Sequence, residues 1–159
     1  MNDPLAIVAV LSALGCGLNA GVFFAFSTFV MAGLARLAPG EGINAMKAIN
    51  VTAVTPVFMI VLFGTGLLCV AALVVALVRW GEPGSLLAVL GGLLYIAGSI
   101  GVTMLCNVPL NNALARVAEP DALGTAVWKA YLRDWTRWNH VRTIACTLAM
   151  ALFLIALWL

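Results

Sequence analysis

The charges of this chain fall almost entirely within three short zones, Arg36 to Lys47, Arg79 to Glu82 and Arg116 to Arg142, with Asp3 alone outside them. Between the zones lie long uncharged runs: Pro4 to Ala35, Ala48 to Val78, Pro83 to Ala115 and Thr143 to Leu159. A helix needs about 20 apolar residues to cross the hydrocarbon of a bilayer. Each run holds one such helix, the last by drawing a final turn from the interface around His140. With 64% hydrophobic and 9% charged residues, the chain has too few polar groups to cover a water-facing surface. The runs lack the apolar and polar alternation of a membrane barrel. An all-α fold is therefore expected: one membrane-embedded domain over 1–159, a bundle of four transmembrane helices with both termini on the same side.

Local signals place the boundaries. Asp3 suits an N-cap and Pro4 a first helical turn, so the first helix starts there and runs to about Leu37. Pro39 and Gly40 stop it, and Glu41 to Asn50 reads as a short interfacial helix. Pro56 opens the second span, which ends near Arg79 and Trp80, a pair fitted to the headgroup boundary. The link Gly81 to Gly84 is tight, making the second and third spans an antiparallel hairpin. Gly91, Gly92, Gly98 and Gly101 offer small surfaces for close helix contact. From Cys106 to Asn112 the amides and Pro109 predict a broken helix or an interfacial turn leading into Ala113 to Val117. Pro120 and Asp121 allow a restart, and one long helix is expected from about Gly124 to Leu159, its first half projecting beyond the hydrocarbon.

Seven Lys and Arg residues lie in 37–55, 107–142 and the adjoining Arg36, against Arg79 alone on the other side. The positive-inside rule puts those loops in the cytoplasm and both termini outside, in an integral protein of a plasma or inner membrane. The first apolar run exceeds a signal peptide's core and is read as retained. Cys16, Cys69, Cys106 and Cys146 fall inside spans without a CxxC pair, as packing thiols do. A net charge of +2, dispersed as here, does not point to nucleic acid.

Polar and aromatic residues at membrane depth are the candidates for chemistry, because such groups are expensive there unless paired or used. On the first helix Asn19, Phe23, Phe26 and Ser27 share a face. On the last, Trp135, Trp138, Asn139, Arg142 and Cys146 recur at intervals of three and four and form one stripe. Asn107, Asn111 and Asn112 are expected to face the same cavity. His140 is the single histidine, a general-base candidate beside Arg142. One histidine cannot ligate haem in pairs or form a three-histidine metal site, and no compact Cys and Met spacing argues for copper. No cofactor is expected.

The segments Gly21-Val22-Phe23-Phe24-Ala25-Phe26-Ser27-Thr28-Phe29-Val30-Met31, Met46-Lys47-Ala48-Ile49-Asn50, Asn107-Val108-Pro109-Leu110-Asn111 and Trp138-Asn139-His140-Val141-Arg142-Thr143 resemble the anthrone oxygenase-like family of small membrane proteins. Ala32 departs from the proline typical of that family at this point. The resemblance implies a four-span fold and, by its characterised fungal members, oxidation of anthrones to anthraquinones by dioxygen.

An anthrone carries an acidic methylene whose enolate reacts with dioxygen without a bound redox group. In the corresponding scheme His140 takes the proton, Arg142 stabilises the oxyanion, and Asn107 with Asn139 orients the oxygens. Phe23, Phe26, Trp135 and Trp138 wall a flat substrate, with Asn19 and Asn111 as further binding groups. The competing expectation is a non-enzymatic membrane module that binds a lipid or hydrophobic small molecule, or stabilises a partner complex. Homo-oligomerisation is left open by the sequence.

Overall fold

The structure, a computed structural model, describes residues 3–118 and 121–159. Pro120, expected at the restart of the last helix, lies outside the described residues. Among the described residues four helices are long and apolar enough to cross a membrane: α1 (Pro4–Leu34), α3 (Pro56–Val78), α4 (Ser85–Ala115) and α5 (Ala122–Ala156). A shorter helix, α2 (Pro39–Thr52), joins α1 to α3. The protein is an integral membrane four-helix bundle. Its outer faces carry a belt of exposed apolar side chains such as Leu14, Leu67, Leu93 and Leu105, as lipid contact requires.

The helix ends follow the cap chemistry. The Asp3 carboxylate accepts the Leu5 amide at 3.1 Å, and Pro4 occupies the first turn of α1. That helix ends at Leu34, a few residues before the expected Leu37. Thr55 accepts the Phe58 amide and Pro56 opens α3; the Asp121 carboxylate accepts the Gly124 amide at 2.7 Å and opens α5. The α3–α4 turn needs glycine twice, at Gly81 (φ 96°) and Gly84 (φ 81°), where an L side chain is strained. A Cβ on Gly84 would also lie 2.5 Å from the Ala156 carbonyl oxygen. That contact sets the C-terminal end of α5 beside the α3–α4 turn, and Arg79 pairs there with both Asp3 and Glu82. The start of α1 and the end of α5 therefore meet at one end of the bundle. At the opposite end, Lys47 of α2 donates to the Val117 carbonyl in the α4–α5 link.

Near the termini the helices touch through small side chains. Ala9, Ala13, Cys16 and Ala20 of α1 pack with Cys69, Ala72 and Ala76 of α3, Ala88 of α4, and Cys146 and Ala149 of α5, around the larger Tyr95 and Phe153. This is the close-approach packing that replaces the hydrophobic effect in lipid. Gly91 meets the Ala149 carbonyl, Gly92 the Cys69 carbonyl, and Gly98 the Ala145 side chain. Gly101 makes no such approach to another helix, because a Cβ there would meet only Ile96 of its own helix.

The asparagine segment does not break α4, contrary to the reading of 106–112 as a broken helix or turn. The helix instead widens into π turns at Ile96–Gly101 and Thr103–Asn107, and Pro109 enters in the turn just after the second. A widened ladder accommodates a residue that lacks an N–H, which is how proline passes without a break. Further π turns occur at Phe26–Val30 of α1 and Ile60–Gly64 of α3. Side chains reach carbonyls within the latter: Asn19 donates to Val61 at 3.3 Å and Tyr95 to Leu62 at 2.9 Å. The last helix is unbroken for 35 residues. At 1.5 Å per residue it spans about 52 Å, well beyond a hydrocarbon layer of about 30 Å.

Candidate functional site

The second cluster of large side chains lies at the α2 end, where Ile43 and Met46 pack on Leu114, Trp128, Tyr131 and Trp135. A Cβ on Gly42 would lie 2.7 Å from the Trp128 ring, so α2 lies close against α5. Between this cap and the small-residue core the helices part around a cavity of about 440 Å³. Its apolar wall comes from Phe23 and Phe26 of α1, Met46 and Ile49 of α2, Phe58, Met59 and Leu62 of α3, Val108 of α4 and Trp135 of α5. Its polar groups include Asn50, Thr103, Asn111, Asn139 and Arg142. The cavity reaches the surface at the α2–α3 link, where Val54 is 69% exposed.

Arg142 is 6% exposed, and no carboxylate pairs with it among the described residues. Its guanidinium donates through Nη1 to Thr103 Oγ1 at 3.1 Å and through Nη2 to Asn139 Oδ1 at 2.6 Å. Its Cζ lies 4.2 Å from the centroid of the Phe23 ring and 5.1 Å from that of Trp135. Two aromatic faces thus supply part of the attraction that a carboxylate would otherwise provide. Arg142 Nε and Trp135 Nε1 are both buried donors without a hydrogen-bond partner, and both side chains line the cavity.

Asn139 fixes that geometry. Its amide nitrogen donates to the Phe23 carbonyl at 2.6 Å and to Ser27 Oγ at 2.7 Å, which leaves Oδ1 turned to Arg142. Ser27 in turn lies 3.2 Å from Thr143 Oγ1. A polar seam therefore ties α1 to α5 and holds the guanidinium where the cavity begins. Deeper in the protein cap, Tyr131 donates to Asn111 Oδ1 at 2.8 Å and stacks between Trp128 and Trp135.

Several expected site residues lie elsewhere. His140 is exposed on the outward face of α5, because one residue beyond Asn139 is a rotation of about 100° around the helix. It does not line the cavity. Trp138 is 39% exposed and also outside the cavity. The inward stripe steps from Trp135 to Asn139, Arg142 and Cys146 instead. Asn19 is fully buried but turned toward α3, donating to Gly15 O, Val61 O and Thr65 Oγ1, and it joins helices rather than lining the cavity. Asn107 is buried too, donating to the Trp135 carbonyl at 3.2 Å from behind the wall. Asn112 is exposed. Phe23, Phe26, Asn111, Trp135, Asn139 and Arg142 are the expected residues that do converge. Thr103 and the contribution of α2 were not foreseen; the spacing of Ile43, Met46 and Asn50 was the available signal.

Among the described residues no three His, Cys, Asp or Glu side chains converge as a metal site would require. Fold and site together define a small four-span membrane protein with an aromatic cavity reaching into the bundle, its polar end held by a buried arginine. The chain belongs to the anthrone oxygenase family, whose family model matches residues 57–152. That stretch holds α3 and α4 and most of α5, including Thr103, Asn139 and Arg142. No curated protein and no solved structure matches the chain.

Proposed function

We propose that this protein oxidises a hydrophobic aromatic substrate of anthrone or phenol type with dioxygen and without a bound redox cofactor. The observation that carries the reading is Arg142: a guanidinium with no acidic partner among the described residues, set between two aromatic rings at the end of a cavity large enough for a tricyclic ring system. A buried guanidinium in a membrane bundle is costly unless it is paired or used. Such a cost is retained where the charge is used.

In the proposed scheme the flat rings lie among Phe23, Phe26, Met46, Phe58 and Trp135, and the substrate oxygen accepts from Arg142. The enolate carbon forms a bond to dioxygen, giving a peroxide anion that takes up a proton. The hydroperoxide then loses water to leave the second quinone carbonyl, so that C14H10O and O2 become C14H8O2 and H2O. Arg142 stabilises the enolate oxygen, and Asn139 holds the planar fork in register.

The open edge at Val54 and Thr55 favours a second reading, a module that binds a lipid or an apolar small molecule without turning it over. Oxygen consumption and quinone formation from an anthrone by detergent-solubilised protein separate the two. The oxygenase reading expects both above the spontaneous rate, and turnover equal to the spontaneous rate leaves the binding module. The orientation belongs to the same proposal: 37–55 and 107–142 face the cytoplasm, and a cysteine introduced at Gly40 should be labelled only from that side.

A further inference from the structure

Among the described residues, the cavity is lined by a cation and by no Asp, Glu, His or Lys that would accept a proton. Two ionisable groups approach the guanidinium, and both are on α5. Tyr131 commits its hydroxyl hydrogen to Asn111 Oδ1, and Cys146 is fully buried outside the cavity lining. The faces that α1 and α3 turn to the cavity carry Phe23, Phe26, Phe58 and Leu62, and those of α2 and α4 carry Asn50, Thr103 and Asn111. His140, the residue suited to proton abstraction, is on the outside of α5. Arg142 and Trp135, whose polar side-chain atoms only donate, both line the cavity, and a guanidinium there favours a ligand that accepts.

We infer that the site takes its ligand as a hydrophobic organic monoanion, an ionised phenol or enol whose proton is lost to water, with Arg142 holding the oxyanion and no side chain acting as base. The ionisation is ArOH to ArO⁻ and H⁺, with the proton released through the opening at the α2–α3 link. Electrostatics favour this order: a guanidinium within about 4–6 Å of an ionising oxygen lowers the pH at which it ionises by about 1–3 units, and a cavity with aromatic walls screens that attraction little. A neutral ligand would leave the guanidinium charge uncompensated, and a dianion would lack its second countercharge. This rests on reading the cavity as an aromatic substrate site. It narrows the substrates to compounds whose hydroxyl or enol is already acidic.

The test uses a nitronaphthol, whose phenol and phenolate absorb at separate wavelengths, titrated with full-length protein in detergent across pH. Wild type should bind it saturably and ionise it about 1–3 pH units below its midpoint in the same micelles without protein. Arg142→Lys, which keeps the charge, should preserve most of that displacement, and Arg142→Gln should remove it while the protein keeps its melting temperature. An unchanged midpoint on wild type, or a displacement that survives in Arg142→Gln, overturns the inference. Quinone formation from an anthrone without any displacement overturns it and leaves the oxygenase reading intact. The displacement without quinone formation sinks the oxygenase reading alone, and absence of saturable binding overturns the inference.

Discussion

The half of the bundle near the chain termini and the half beneath α2 are built from the same helices with opposite side-chain sizes. In the first, alanine, glycine and cysteine let α1, α3, α4 and α5 close on one another, and Asn19, Thr65 and Tyr95 direct most of their polar atoms to neighbouring backbone or side chains. In the second, Phe23, Phe26, Phe58 and Trp135 hold the helices apart around a cavity that Arg142 and Asn139 also line. Polar groups in a membrane bundle thus serve two ends. Those that fasten helices spend their donors on neighbouring helices, as Asn19 and Tyr95 do, and Arg142, which faces the cavity, is held by Thr103 and Asn139 with no carboxylate among the described residues.

Changes on the two sides of this divide should fail in different ways. The largest effect is expected from Arg142→Gln, which removes an oxyanion donor and should lower anthrone turnover by roughly a hundredfold to a thousandfold. Its melting temperature should be unchanged or higher, because desolvating a guanidinium in the bundle is costly. Loss of folding in that variant would place Arg142 with the fasteners. Gly98→Leu is the converse case. A Cβ at this position lies 2.4 Å from that of Ala145, so overpacking should cost about 1–3 kcal/mol in a thermal or denaturant unfolding measurement.

Asn19→Ala should be milder, at about 0.6–1.7 kcal/mol, the range measured for side-chain hydrogen bonds between membrane helices. Binding at the cavity should persist in it, since Asn19 reaches only α1 and α3 atoms. A turnover defect larger than its stability loss would blur the division between the halves. The smallest effect is expected from His140→Ala. Its outward position predicts turnover and pH dependence indistinguishable from wild type, and a loss of even tenfold would return the imidazole to the chemistry.

The spans and the hairpin turn were legible because their signals are local: charge gaps, Pro56 opening a helix, Gly81 and Gly84 in a turn. The stripe of Trp135, Asn139, Arg142 and Cys146 was legible for the same reason. Its edges were not. A step of three or four from Trp135 reaches either Trp138 or Asn139, and only packing against α1 decides which one points inward. Asn107 and Pro109 were misread because a regular period of 3.6 does not anticipate π turns, which let α4 stay helical and change the face it presents. The role of α2 was hidden most deeply. Nothing in its 14 residues states that it folds back over α5, a placement fixed by Gly42 against Trp128 and by Lys47 on the Val117 carbonyl.

The central claim is that Arg142 marks the polar end of a site for an aromatic oxyanion. An experimental structure of the protein with an ionised hydroxyanthracene or nitronaphthol bound tests it most directly. The ligand oxygen is expected within about 3 Å of the guanidinium, the length of a charge-assisted hydrogen bond, with its rings between Phe23, Phe58 and Trp135. A ligand seated on the outer face of α5 beside His140, or lying in the cavity with its oxygen turned toward Val54 and away from Arg142, would contradict it.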